Sequence, residues 1–302
     1  MKIRRGFTGM VAAALCATSA FSASLPTATG ATSAMVITAR PPNLEPGELT
    51  VMIGKNRARV LRLERLSGDL AGMQLFVLLD DSTRSSSLSL QLPELKKFIA
   101  SLPPSTEVAV GYMRYGSFLM AQGFTADHAK AADSLRLPLA APGENGSPYF
   151  ALSDLAKHWP SKEPTERRAV LMMTDGIDRY WGSSIPDDPY EDTAIRDALK
   201  NEISVYSIYL RGAGMYDRAG WPTLMGQSHL IQVTEETGGF AYFQDFTDPV
   251  TIQPFLKDFR ERLDNQYKVT IEAVNQKGVQ PVKVRTEAPG VKIDAPTEIY
   301  MR

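Results

Sequence analysis

The feature that most constrains this chain is an unbroken apolar run, Leu75-Phe76-Val77-Leu78-Leu79, stopped by Asp80. A strand with one wet face alternates apolar and polar residues. A run without a polar break has to be buried on both faces, as a central strand of a parallel sheet is. A second such run, residues 169–173, stops at Thr174-Asp175-Gly176. Residues 108–112, 203–210 and 240–243 read as further strands, with a short one near Phe118 to Met120 hairpin-linked to the first of these.

Between the strands the apolar spacing changes to three and four. Leu92, Leu95, Ile99 and Leu102 recur this way before Pro103-Pro104 ends the pattern, and Leu152, Leu155 and Trp159 follow it. So do Ala194, Ile195, Ala198 and Leu199, and later Ile252, Phe255, Leu256, Phe259 and Leu263. That spacing is the stripe of an amphipathic helix. Gly238-Gly239 supplies a C-terminal stop for another helix around residues 230–237. Strand-then-helix repetition predicts an α/β fold: a doubly wound, mostly parallel sheet with helices on both faces, spanning residues 68–264.

The flanks read differently. Residues 47–67 carry Leu49, Val51 and Ile53, then Val60, Leu61 and Leu63, around a turn at Gly54-Lys55-Asn56, and predict a β-hairpin. Residues 265–302 hold three strand-like segments with turns at Gly278 and Pro289-Gly290. Together these ends predict one small accessory β-sheet. Residues 24–46 are rich in Ala, Ser, Thr and Pro and read as a linker. Residues 1–23 have the form of a secretory signal: Lys2, Arg4 and Arg5, an apolar stretch from Met10 to Ala17, then small residues at Ala20 and Ser22. Export to the periplasm or the outside is the expectation, with no transmembrane segment, since the apolar stretch is too short to span a bilayer.

Composition removes whole classes of chemistry. The single cysteine, Cys16, lies within the leader, so the mature protein has no thiol for a disulfide, a zinc-thiolate site or a cysteine nucleophile. The chain carries 33 basic and 34 acidic residues, and loss of the leader's three basic ones leaves a net charge of −4. That balance speaks against nucleic acid as a partner. The dinucleotide fingerprint fails after Gly212-Ala213-Gly214, where Asp217 stands at the next glycine position. No Gly-x-Ser-x-Gly elbow occurs, and His128, His158 and His229 show no metal spacing.

What remains is the pair of acidic strand tips. In open α/β sheets ligands bind outside the carboxyl ends of the strands, at the switch point. If the two apolar runs are central and parallel, Asp80 and Asp175 meet there. Ser82 adds a hydroxyl, giving hard oxygen donors of the kind that suits Mg²⁺ and similar divalent cations.

Here the chain resembles the von Willebrand factor type A family, which has Asp-x-Ser-x-Ser after its first strand, a Thr from a later loop and an Asp, often Asp-Gly, after its fourth. Asp80, Ser82 and Asp175 match. Glu236-Thr237-Gly238-Gly239 before Phe240-Ala241-Tyr242-Phe243 resembles the late helix-to-strand step, and the flanking β segments look like the exported branch described from acidobacteria. The resemblance spans residues 49–302 and implies a metal-ion-dependent adhesion site, at which a partner protein completes the metal's shell with a carboxylate. Two positions depart from the pattern. Arg84 stands where the second Ser should be, and only Ser147 is available for the Thr. A guanidinium offers donors alone and cannot ligate a cation. The metal set is then Asp80, Ser82, Ser147 and Asp175, and a shifted set, Asp81, Thr83 and Ser85, also stands open. So does a metal-free site in which Arg84 pairs with Asp80 and Asp175.

The expected function is a protein-binding module with a degenerate adhesion site, contacting its partner through Arg84, Asp178, Tyr180, Trp181, Tyr216 and Trp221. Those loops are aromatic, charged and turn-rich, as contact surfaces are. The enzyme alternative is metal-dependent phosphoryl transfer with Asp80 as nucleophile. It would want a second Asp two residues on, where Ser82 stands.

Overall fold

A computed structural model describes residues 31–141, 144, 146–180, 188–212, 220–273 and 276–302. The proposed signal, Trp181 and Tyr216 lie outside the described residues. The chain opens with strand β1 (Ala31–Arg40), followed by β2 (Leu49–Ile53), β3 (Asn56–Arg57) and β4 (Arg59–Arg65). Next come β5 (Met73–Asp80), α1 (Ser85–Ala100), β6 (Thr106–Arg114), β7 (Ser117–Thr125), α2 (His128–Asp133) and α3 (Pro148–Lys157). The middle continues through β8 (Arg167–Thr174), α4 (Pro189–Lys200), β9 (Ile203–Tyr209), α5 (Gly220–Thr237), β10 (Ala241–Tyr242) and α6 (Gln253–Asp264). Four strands close it: β11 (Gln266–Ala273), β12 (Gly278–Thr286), β13 (Lys292–Asp294) and β14 (Glu298–Met301).

The middle elements build a six-stranded mixed sheet in the order β10-β9-β8-β5-β6-β7. Its pairings are parallel except for β7, which lies antiparallel to β6 at one edge. The unbroken apolar run is its central strand, with every residue of β5 buried. Leu75, Val77 and Leu79 pack with Leu88 and Leu95 of α1, Ala131 of α2 and Phe259 of α6. Phe76 and Leu78 belong to a second cluster with Leu152 and Leu155 of α3, Ala194 and Ile195 of α4 and Val233 of α5. Period-two alternation thus feeds two separate cores, and each side chain so buried contributes about 1.5–3 kcal/mol.

The flanking strands correct three expectations. Residues 31–40, read as part of a linker, form β1, which pairs antiparallel with β11 from Ala31↔Ala273 to Thr38↔Gln266. The single accessory sheet is two four-stranded antiparallel sheets, β13-β1-β11-β4 and β14-β12-β2-β3. Ile37, Val269 and Ile271 of the first share one core with Val51, Ile53, Val282 and Ile299 of the second. The segment read as a hairpin supplies strands to both: β2 turns through Gly54 into β3, whereas β4 crosses to pair with β11. Two sheets are needed because the apolar alternation of β2 and of β11 each presents a face, and each face requires a cover.

Polar side chains fasten this sandwich to α6. Arg262 donates from Nε to Asp258 (2.6 Å) and from Nη1 to Asp294 (2.8 Å), and Arg40 of β1 reaches the same two carboxylates. Among the described residues no helix is long and apolar enough to cross a membrane.

Candidate functional site

The sheet's strand order changes direction around β5: β6 lies on one side and β8 on the other. The carboxyl ends of β5 and β8 are therefore neighbours at a switch point, the place where an open α/β sheet leaves a crevice. Asp80 ends β5, and Asp175 directly follows Thr174, the last residue of β8. The expected convergence at this crest of the sheet is present.

Asp80 is 2% exposed, and both of its oxygens are engaged. Oδ1 accepts from the Ser82 amide (2.9 Å) and hydroxyl (2.8 Å), and Oδ2 accepts from the Thr174 hydroxyl (3.0 Å). Burial raises its carboxyl above the ordinary range and the Asp175 charge raises it further, while Arg179 and the Ser82 bonds pull it back. Thr174 is a member of the site that sequence reasoning passed over, although it stands in the quoted Thr-Asp-Gly triplet.

Asp175 is turned toward a cation from its own loop. Arg179 donates from Nη2 to its Oδ2 at 2.5 Å and from Nη1 to its Oδ1 at 3.5 Å, and the Ile177 amide adds a bond of 3.0 Å to Oδ1. Both side chains of the pair are largely shielded, 10% exposed for Arg179 and 6% for Asp175. The ion pair expected from Arg84 is thus made on Asp175 by Arg179. Arg84 stands at the N-cap of α1, half buried. The signal for Arg179 was an arginine four residues past the acid, close enough to fold back on it.

The other expected site residues separate into distinct roles. Ser147 is the N-cap of α3, accepting from the Phe150 amide (3.2 Å) and donating to Asp178 Oδ2. Asp178 is buried, and its Oδ1 takes the Tyr180 amide (2.8 Å), so it shapes the loop from within. Asp81 faces away from β8: its Oδ1 takes Arg136 Nη1 (2.5 Å) and the Leu139 amide (3.0 Å). The register beginning at Asp80 is the one that meets β8. Trp221, placed by sequence in a long loop, lies in the first turn of α5 and is 54% exposed.

A family-like divalent cation would need open lone pairs on this set. The hydroxyl and carboxylate oxygens keep lone pairs after the bonds above, but Asp175 is clamped on both oxygens by a guanidinium whose positive charge repels a second cation. With Arg179 held on Asp175, the residues as arranged do not fit a second cation.

Around these groups lies an apolar rim. Tyr115, in the turn between β6 and β7, is 61% exposed and Tyr180 is 54% exposed. Tyr180 meets the Phe150 ring edge-on at 5.7 Å, and Phe150 stacks obliquely on Tyr190 at 4.3 Å. Behind the rim is a buried polar group that the sequence did not announce. Glu191 of α4 lies 3.7 Å from His229 of α5, whose ring meets Tyr149 at 5.9 Å, and Tyr149 donates to the Gly176 carbonyl (2.6 Å). Burial, then the nearby Asp188, pushes the Glu191 carboxyl up to about 9. His229 is itself buried.

No protein-family model matches the chain, and no curated protein does. Solved structures similar to it include an aerotolerance-related membrane protein from Bacteroides fragilis NCTC 9343 carrying multiple mutations to serine. It is 14% identical over 64% of this chain and 99% of that one, with a TM-score of 0.44. A conserved hypothetical protein BatB from Bacteroides thetaiotaomicron is 14% identical over 63% of this chain and 97% of that one, at 0.41. The N-terminal domain of TFIIH p34 is 12% identical over 62% and 95%, at 0.39.

Proposed function

We propose that this chain is an exported protein-binding module of von Willebrand factor type A character, whose degenerate adhesion site lies at the carboxyl ends of β5 and β8. The observation that carries the reading is the placement of an exposed aromatic rim, Tyr115, Phe150 and Tyr180, beside the buried Asp80 and Asp175 and the largely buried Arg179. Tyr and Phe held by packing give a partner large contact area at small entropic cost, and such rings concentrate in the centres of protein interfaces. Export rests on the leader read in residues 1–23. The phosphoryl-transfer alternative asks Asp80 to reach a substrate phosphorus, whereas its carboxylate is buried at the strand end.

The test is site-directed photocrosslinking in the producing cell. A probe at Tyr115 or Tyr180 is expected to trap one discrete protein partner, and a probe at the exposed Leu61 on β4 is expected to trap none. Trapping from Leu61 alone, or Asp80-dependent turnover of phosphate monoesters, would overturn the reading.

A further inference from the structure

We propose that Arg179 is the resident cation of this site: its guanidinium takes the place where the resembled family holds a divalent ion, so the site works without metal. The inference deepens the binding reading and rests on it only for its consequence for a partner.

Three observations converge. The fork of Arg179 bonds both oxygens of Asp175, with 2.5 Å and 3.5 Å separations, in a pocket where each side chain is at most 10% exposed. The same guanidinium acts on Asp80 across the crest, lowering a carboxyl that burial and Asp175 raise. And the hydroxyls around the acids donate to them: Ser82 and Thr174 to Asp80, Ser147 to Asp178, so protons and one guanidinium already balance the carboxylates. Two carboxylates buried side by side need a positive charge between them, and an arginine fork meets that need with directed bonds that a lysine cannot reproduce.

The consequence for recognition follows from charge. A metal in such a site keeps part of its charge for an incoming carboxylate. Arg179 faces two acids and has no excess charge to offer, so a partner is held by the aromatic rim and its contacts should be indifferent to chelators.

Mn²⁺ serves as the probe, read by isothermal titration and by the thermal midpoint of the full chain with and without EDTA. Wild type is expected to show no saturable uptake and an unmoved midpoint. Arg179→Gln, which keeps most of the side-chain volume and loses the charge, is expected to melt several degrees lower in EDTA and to recover with millimolar Mn²⁺. Adding Asp80→Asn is expected to abolish that recovery. Arg179→Lys should fall between wild type and Gln in EDTA. Saturable one-site Mn²⁺ uptake by wild type overturns the proposal, and because it is read on wild type it stands even if every variant fails to fold. A folded Arg179→Gln as stable as wild type in EDTA overturns it too. No partner enters this experiment, so its failure leaves the crosslinking result standing, and the reverse.

Discussion

Gly176 and Gly226 meet backbone to backbone. A Cβ on Gly176 would lie 2.3 Å from the Gly226 carbonyl oxygen, and one on Gly226 would lie 2.3 Å from the carbonyl oxygen of Asp175. Gly176 also adopts a φ of 70°. This close approach seats α5 against the loop that carries Asp175, so the helix sets the height of the site's second acid.

Gly226→Ala therefore puts a methyl into backbone. Helix propensity favours the alanine by about 0.5–1 kcal/mol, but the overlap outweighs it and a net loss of about 1–3 kcal/mol is expected in urea denaturation. An alanine variant as stable as wild type would show that α5 can slide along the loop at no cost.

Glu191 carries a pH signature. Its folded pKa of about 9 lies above the ordinary 4.5, so the protonated form is the one that folding favours. Its contribution is complete below pH 4.5 and declines as pH rises toward 9. Glu191→Gln removes that decline. The variant's stability relative to wild type is expected to grow by roughly 2–4 kcal/mol between pH 5 and pH 8. A difference that stays flat across the range would mean that Glu191 is ionised in the fold and held by His229.

Arg262 joins α6 to the sandwich through Asp258 and Asp294, with its guanidinium 4.0 Å from the centre of the Phe240 ring. Arg262→Met keeps the stem and removes the charge. Asp258 and Asp294 are partly exposed, so water absorbs part of the loss, and about 1–3 kcal/mol is expected. Amide hydrogen exchange should quicken in β1 and β13 ahead of β5. Equal protection in all three would remove the assigned role.

Ser147 is assigned to capping and to the Asp178 bond. Ser147→Ala is expected to cost about 1–2 kcal/mol, while Ser147→Thr, which keeps a hydroxyl, stays near wild type. Thermal melts of the two variants in EDTA check this. An alanine loss seen only when Mn²⁺ is supplied would point to a metal ligand instead.

The sequence alone carried the sheet's centre and the meeting of Asp80 with Asp175. A residue run buried on both faces admits few positions in a fold, and an acid ending such a run must surface at the strand's end. Composition hid β1: Ala, Ser and Thr at residues 31–34 look like linker, and its backbone takes its hydrogen bonds from the distant partner strands β11 and β13. The split of the flanks into two sheets was likewise invisible, because alternation marks a buried face without naming what covers it.

The identity of the site's cation was decided only in three dimensions. Arg84 and Arg179 each lie four residues past an acidic strand tip, Asp80 and Asp175, and spacing cannot rank them. The chain after Asp80 enters α1 with Arg84 at the cap, whereas the chain after Asp175 doubles back through the left-handed Gly176 and brings Arg179 onto its own acid. Strand tips follow from hydrophobic patterning, which is local and periodic. The choice of ion pair follows from the path of a loop, which is fixed by what α3 and α5 pack against it.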